Sequence, residues 1–220
     1  MTLLADEDAA RAWLREVPGC DAAAIARLEA FVALLREENA RQNLVSAASL
    51  DHVWVRHIAD SAQLLDVSRG TSGQKPGAWL DLGTGAGFPG IVVALLDPAR
   101  EVVMVESRTK RAAWLQGVID GFGLSAARVI GSRLEVVPAF DAAIISARAF
   151  APLERLVALA ARFSTPDTRW LLPKGRNGAK ELGEMPKTIQ TLFHVERSIT
   201  DAGSVILIGR GCVSSTGPAR

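Results

Sequence analysis

The chain has no tyrosine, only two cysteines and only three histidines in 220 residues. Cys20 and Cys212 are too few and too far apart for a disulfide framework or a zinc site, so no metal is expected and a reducing cytoplasm fits. No apolar run reaches the roughly 18 residues of a membrane span. The opening Met1-Thr2-Leu3-Leu4-Ala5-Asp6-Glu7-Asp8 lacks the basic-then-apolar order of a signal peptide, so a cytoplasmic protein without a membrane partner is expected. Net charge is nearly absent as well, at +1. A protein that binds nucleic acid through its entire surface is thereby disfavoured, and any basic patch has to be local.

What is present is a hydrophobic content of 49%, enough for a sizeable core, and one glycine-dense stretch. Trp79-Leu80-Asp81-Leu82-Gly83-Thr84-Gly85-Ala86-Gly87-Phe88-Pro89-Gly90 reads as a buried strand that runs into a tight turn. Gly85 to Gly90 matches the G-x-G-x-x-G of dinucleotide folds, but the match is weak by itself. Pyrophosphate needs free N–H groups at a helix N-terminus, and Pro89 removes one of them there. Asp81, just before the first glycine, would repel phosphate yet suits a cofactor with positive charge. S-adenosylmethionine, which carries an ammonium and a sulfonium and no phosphate, is the cofactor this turn favours over a nicotinamide dinucleotide. Glu106 lies 19 positions beyond Gly87, near the spacing at which an acid meets ribose hydroxyls. Gly83, Gly85, Gly87, Asp81 and Glu106 are thus cofactor candidates.

Before this turn, apolar residues at helical spacing predict helices over residues 6–17 and from Asp21 to about Glu38. A third is predicted to start at Ser49 and to carry Leu50, Val53, Ile58, Leu64 and Leu65. It also holds Arg56, His57, Asp60 and Ser61, with Arg56 to Asp60 and His57 to Ser61 each four apart. Two readings stand side by side, an ordinary surface ion pair with a core histidine and a functional group. Residues 68–77 read as a linker.

After the turn, strands at 102–105, 128–130, 142–145 and 170–172 alternate with helices at 91–96, 110–122 and 153–163, and residues 191–199 and 205–208 read as an antiparallel hairpin at the edge. Such alternation predicts an α/β fold with a mainly parallel sheet and helices on both faces. Ligands of such sheets sit beyond the carboxyl ends of the strands. There the sequence gathers Arg108, Lys110 and Arg111 after the second strand and Lys174 with Arg176 after the fifth. With Arg56, these cations are candidates for contact with an RNA backbone.

No residue pattern announces a strong general base, and no Asn-Pro-Pro-Tyr motif follows the fourth strand. Neither cysteine lies near a strand end, which argues against covalent attack on a pyrimidine. A target with its own lone pair needs no base, and guanine N7 is such an atom. Asn43-Leu44-Val45-Ser46, Val55-Arg56-His57-Ile58-Ala59-Asp60-Ser61, Asp81 to Gly90, Ser132-Arg133-Leu134-Glu135, Ser146-Ala147-Arg148-Ala149-Phe150 and Lys174-Gly175 occur in the order seen in bacterial ribosomal RNA small subunit methyltransferase G. The chain resembles that family over roughly residues 20 to 210.

The resemblance implies a class I S-adenosylmethionine-dependent methyltransferase, Rossmann-like with a seven-stranded sheet, that methylates N7 of one guanine in 16S rRNA. It also implies that Gly83, Phe88, Leu134, Glu135 and Arg148 contact the cofactor. Arg148, His57 and Asp60 are the candidates for catalysis. The partner is then 16S rRNA or the 30S subunit, and a monomer is expected. The expected organisation is a helical extension at 1–67, the linker, a methyltransferase domain at 78–210 and a disordered tail at 211–220. A small-molecule methyltransferase and a noncatalytic RNA-binding protein on the same fold are the alternatives.

Overall fold

The computed structural model describes residues 3–69 and 77–213, so most of the expected linker and residues 214–220 of the expected tail lie outside the described residues. Helix α1 (Glu7–Leu14) opens where the Asp6 carboxylate accepts the Ala9 N–H, and it buries Ala10 and Leu14. Helix α2 (Ala22–Gln42), capped by Asp21, continues four residues past the expected end at Glu38. It stops where Asn43 takes a left-handed φ of 47° and gives its N–H to the Asn39 carbonyl.

The expected third helix from Ser49 is in fact three pieces. Ser46, not Ser49, caps a single turn α3 (Ala47–Leu50), a π-helix follows at Trp54–Ala59, and α4 (Asp60–Arg69) completes the run. The break has a tertiary cause. Glu7 of α1 accepts the N–H groups of Trp54 at 3.0 Å and Val55 at 2.9 Å, so a carboxylate from another helix caps the π-helix.

The seven strands β1 (Ala78–Leu82), β2 (Val102–Val105), β3 (Ala127–Ile130), β4 (Ala142–Ala147), β5 (Arg169–Lys174), β6 (Phe193–Arg197) and β7 (Val205–Arg210) form one sheet in the order β3-β2-β1-β4-β5-β7-β6. The first five pair in parallel, while β7 runs antiparallel to β5 and β6 on either side. The expected edge hairpin is present, with its second strand inserted inside its first. Helices α5 (Gly90–Leu96), α6 (Thr109–Phe122) and α7 (Leu153–Ala160) link the parallel strands, and the short α8 (Gly178–Gly183) and α9 (Lys187–Gln190) precede β6 without a clear signal in the sequence.

Side chains alternate between two cores, as the period of a strand requires. Trp79 joins the core with Phe31, Leu64 and Leu95, so α2, α4 and α5 cover one face together. Leu80 and Leu82 face the other core with Leu156 and Val157 of α7. The strand order reverses between β1 and β4, and the turn after β1 meets the loop after β4 at that switch point. No helix among the described residues is long and apolar enough to cross a membrane.

Candidate active site

The glycine turn is held from beneath by a buried chain of donors. Trp79 Nε1 donates to Ser146 Oγ at 2.7 Å, and Ser146 donates to Asp81 Oδ1 at 2.7 Å across the β1–β4 pair. The second oxygen of Asp81 accepts the Gly90 N–H at 2.9 Å and so fixes the start of α5. Burial pushes the Asp81 carboxyl up, while these hydrogen bonds and the charge of Arg148 pull against it. Asp81 is fully buried and lines neither cavity described below, so it organises the turn where the sequence suggested a direct ligand.

The turn uses its own amides. Gly83 and Thr84 donate to the Val105 carbonyl, Gly87 and Phe88 to the Thr84 carbonyl, Gly85 to Glu106 Oε2 and Gly90 to Asp81. Pro89 has no N–H. A phosphate cradle needs outward, unpaired amides, and here one amide already holds a carboxylate. Gly83, Gly85 and Gly87 have φ of 65°, 60° and 112°, which only glycine adopts easily. At Gly83 an added Cβ would lie 2.5 Å from Phe150 Cδ2, so a side chain here would displace that ring as well as strain the backbone.

Two cavities of about 570 Å³ each open at the switch point. The first is lined by Gly83, Glu106, Arg108, Arg111, Leu134 and Glu135. Its acid, Glu106, is held by the amides of Gly85 at 3.0 Å and Arg108 at 2.8 Å. The backbone at 134–135 is fixed by Arg162, which donates to both carbonyls. With its oriented carboxylate this cleft fits the ribose hydroxyls of an adenosine-bearing cofactor such as S-adenosylmethionine.

The second cavity is lined by Arg56, His57, Asp60, Arg148, Lys174 and Thr200, among others. Arg148 is its centre. It donates from Nη1 to the Arg56 carbonyl at 3.1 Å and to Asp60 Oδ2 at 3.2 Å, and its Nη2 lies 3.0 Å from His57 Nδ1. A guanidinium only donates, so Nδ1 accepts and the proton of neutral His57 sits on Nε2. That Nε2 is buried without a partner. Burial, then the charges of Arg148 and Arg56, hold His57 down at about 3. The ring stacks on Phe88 at 4.7 Å, and the Arg148 guanidinium lies 5.1 Å from the same ring.

The spacing of four within 56–61 does not produce the side-chain pairs it suggests. Arg56 pairs with Asp201 at 3.2 Å, Asp60 with Arg148 and Thr200, and Ser61 Oγ donates to the His57 carbonyl instead of its ring. The wider turn of a π-helix rotates successive residues away from the positions an α-helix gives them.

Of the cofactor candidates, the fold brings Gly83, Glu106, Leu134 and Glu135 to the first cavity and Arg148 to the second. The Phe88 ring is buried between Phe31 and His57, and Gly85 and Gly87 shape the turn without lining either cavity. The cations also separate. Arg108 and Arg111 border the first cavity, Lys174 the second, and Lys110 a groove between α2 and α6. Exposed Arg176 packs on Gly203. Lys174 is mostly buried, bonds Glu181 at 2.9 Å and donates to the Ala151 carbonyl, so it anchors the loop after β4. Sequence reasoning missed Glu7, whose link to the π-helix spans 47 positions and leaves no local signal. It also gave Phe150 no role, although that residue is the only aromatic in a run of alanines.

Compared with known proteins, residues 24–206 match the family described as rRNA small subunit methyltransferase G. A ribosomal RNA small subunit methyltransferase G from Erythrobacter litoralis is 56% identical over 95% of this chain and 98% of its own. One from Novosphingobium aromaticivorans is 55% identical over 96% and 90%. Among solved structures, a fibrillarin/Nop5p complex gives a TM-score of 0.54 at 13% identity, covering 71% of this chain and 82% of that one. A mutant of MtNAS in complex with S-adenosylmethionine gives 0.52 at 17% identity, covering 94% and 84%. These two show a shared fold.

Proposed function

The chain belongs to the rRNA small subunit methyltransferase G family, and from that premise we propose how its residues divide the work of the family's reaction. The activity is S-adenosylmethionine-dependent methylation of 16S rRNA at N7 of a guanine. The cofactor supplies an electrophilic methyl group on a sulfonium. Gly83, Glu106, Leu134 and Glu135 hold it in the first cavity, with Glu106 on the ribose hydroxyls and the 134–135 backbone at the adenine edge. Gly85, Gly87 and Phe88 keep the turn in shape, and Asp81 locks that turn to β4 from below.

The observation that carries this division is the pair of cavities at the β1–β4 switch point, one with an acid oriented by the amides of Gly85 and Arg108, the other built around Arg148. Guanine N7 has a lone pair and no proton, so the second cavity needs no general base. Its work is to exclude water and hold the base in a near-attack position about 3 to 3.5 Å from the methyl group. Arg148, His57 and Asp60 form a fixed wall for that purpose, and neutral His57 adds no charge beside a base that becomes cationic. Arg108, Arg111, Arg56 and Arg176 meet phosphates around the two openings. The target guanine leaves its stack to enter.

The partner is 16S rRNA, either free or in the 30S subunit; that substrate fits a cytoplasmic enzyme, and a monomer is the state proposed for it. Transfer from tritiated S-adenosylmethionine to 30S subunits, naked 16S rRNA and a set of small metabolites tests the reading. Label in guanine N7 of the RNA is the expected result. Label only in metabolites, or binding of RNA without transfer, would overturn it.

A further inference from the structure

We propose that Phe150 is the stacking platform for the target guanine, seated between the cofactor cleft and the Arg148 cavity. This rests on the reaction assigned above. Residues 149–152 form a wall common to both cavities. Within the loop after β4, Ala149 and Ala151 are small, and the two large side chains, Arg148 and Phe150, take opposite tasks. Arg148 turns to His57 and Asp60, while Phe150 covers Gly83 so closely that a Cβ there would push the ring aside.

The backbone is set to achieve this. Ala149 has a φ of 51°, in the left-handed region that alanine rarely adopts, and the chain keeps it there at the border of the two cavities. Lys174 pins the next carbonyl, that of Ala151, and Glu181 accepts the Leu153 N–H, so the loop is fixed after the ring, as Arg148 fixes it before. Phe150 itself packs partly on the core and stays half-exposed toward the cavities.

A base taken out of an RNA stack loses two flat neighbours, and an aromatic face is what replaces them. Among the described residues Phe150 is the only carbocyclic aromatic ring lining the Arg148 cavity, and the one other aromatic ring there, His57, already stacks on Phe88. Phe150 lines both cavities, so it is shared by a cofactor in the one and a base in the other. Position and chemistry therefore agree on one role.

The test compares wild type, Phe150→Leu and Phe150→Tyr for transfer to the RNA substrate, affinity for S-adenosylmethionine, and affinity of the S-adenosylhomocysteine-loaded protein for guanosine monophosphate. Leucine should lower kcat/KM for RNA at least tenfold and weaken guanosine monophosphate, while cofactor affinity stays within about twofold and the melting temperature holds. Tyrosine should restore most of the loss. Unchanged guanosine monophosphate affinity in Phe150→Leu would overturn the platform, and so would an equal loss of cofactor binding, which would make the ring a cofactor wall. A wild type that transfers nothing to RNA would count against the reaction instead, and the nucleotide titration would still judge Phe150.

Discussion

Arg148 Nη2 stands 3.0 Å from Nδ1 of His57, a residue 91 positions earlier in the chain. The contact requires a neutral imidazole, since a protonated one would set two cations against each other in a buried place.

Stability should therefore fall in acid in a way that His57 controls. Its folded value of about 3 lies below the ordinary 6.5, so between those limits the unfolded chain binds the extra proton. Stability is full above 6.5 and is lost as pH falls towards 3, with a limiting slope of about 1.4 kcal/mol per pH unit. Urea unfolding at pH 7, 6, 5 and 4 should show a steeper loss for wild type than for His57→Gln. Parallel curves would mean that the imidazole is not held neutral.

Glu106 and Asp81 should separate by phenotype. Glu106→Gln keeps the shape but weakens the oriented acid of the cofactor cleft, and titration calorimetry should read at least a tenfold weaker S-adenosylmethionine Kd with little change in melting temperature. Asp81→Ala strands the buried Ser146 hydroxyl and Gly90 N–H, each worth roughly 1 to 3 kcal/mol when left unpaired. Its main effect should be lost stability. A folded, fully stable Asp81→Ala with impaired binding would return Asp81 to the list of direct ligands.

Glu7 should matter for methyl transfer although it lies far from the chemistry. Its carboxylate caps the π-helix that carries Arg56 and His57, and Arg11 on the same helix α1 lies 3.8 Å over the Trp54 ring. Glu7→Ala should cost roughly 1 to 2 kcal/mol, as lost helix caps do, and lower kcat several-fold with KM for the cofactor little altered. Full turnover at a temperature where the variant remains folded would limit Glu7 to stability.

The cations should divide likewise under salt. Replacing Arg108 and Arg111 together by alanine should reduce the slope of log affinity for RNA against log salt by about 1.4, at roughly 0.7 per phosphate contact on single strands. Lys174→Ala should leave that slope nearly intact, because its ammonium is engaged with Glu181 and the loop after β4. A drop in slope for Lys174→Ala as large as for the arginine pair would place Lys174 on the RNA.

Much of this molecule was legible in its residues because the signals are short-range. The strand-and-helix periodicity after residue 78, the glycines whose positive φ the turn demands, and Pro89 without its N–H all act within a few positions of themselves. They suffice for the sheet class, the turn and the kind of cofactor it tolerates. The tertiary structure decided which polar groups meet. Asp81 reaches Ser146 across 65 positions and Arg148 reaches Asp60 across 88, and Glu7 breaks a helical run that local spacing had joined to Leu65. Burial then fixed their charge states, closing Asp81 off from either cavity and keeping His57 neutral. Such outcomes depend on the field and the desolvation of a folded interior, and spacing along a chain carries no measure of either.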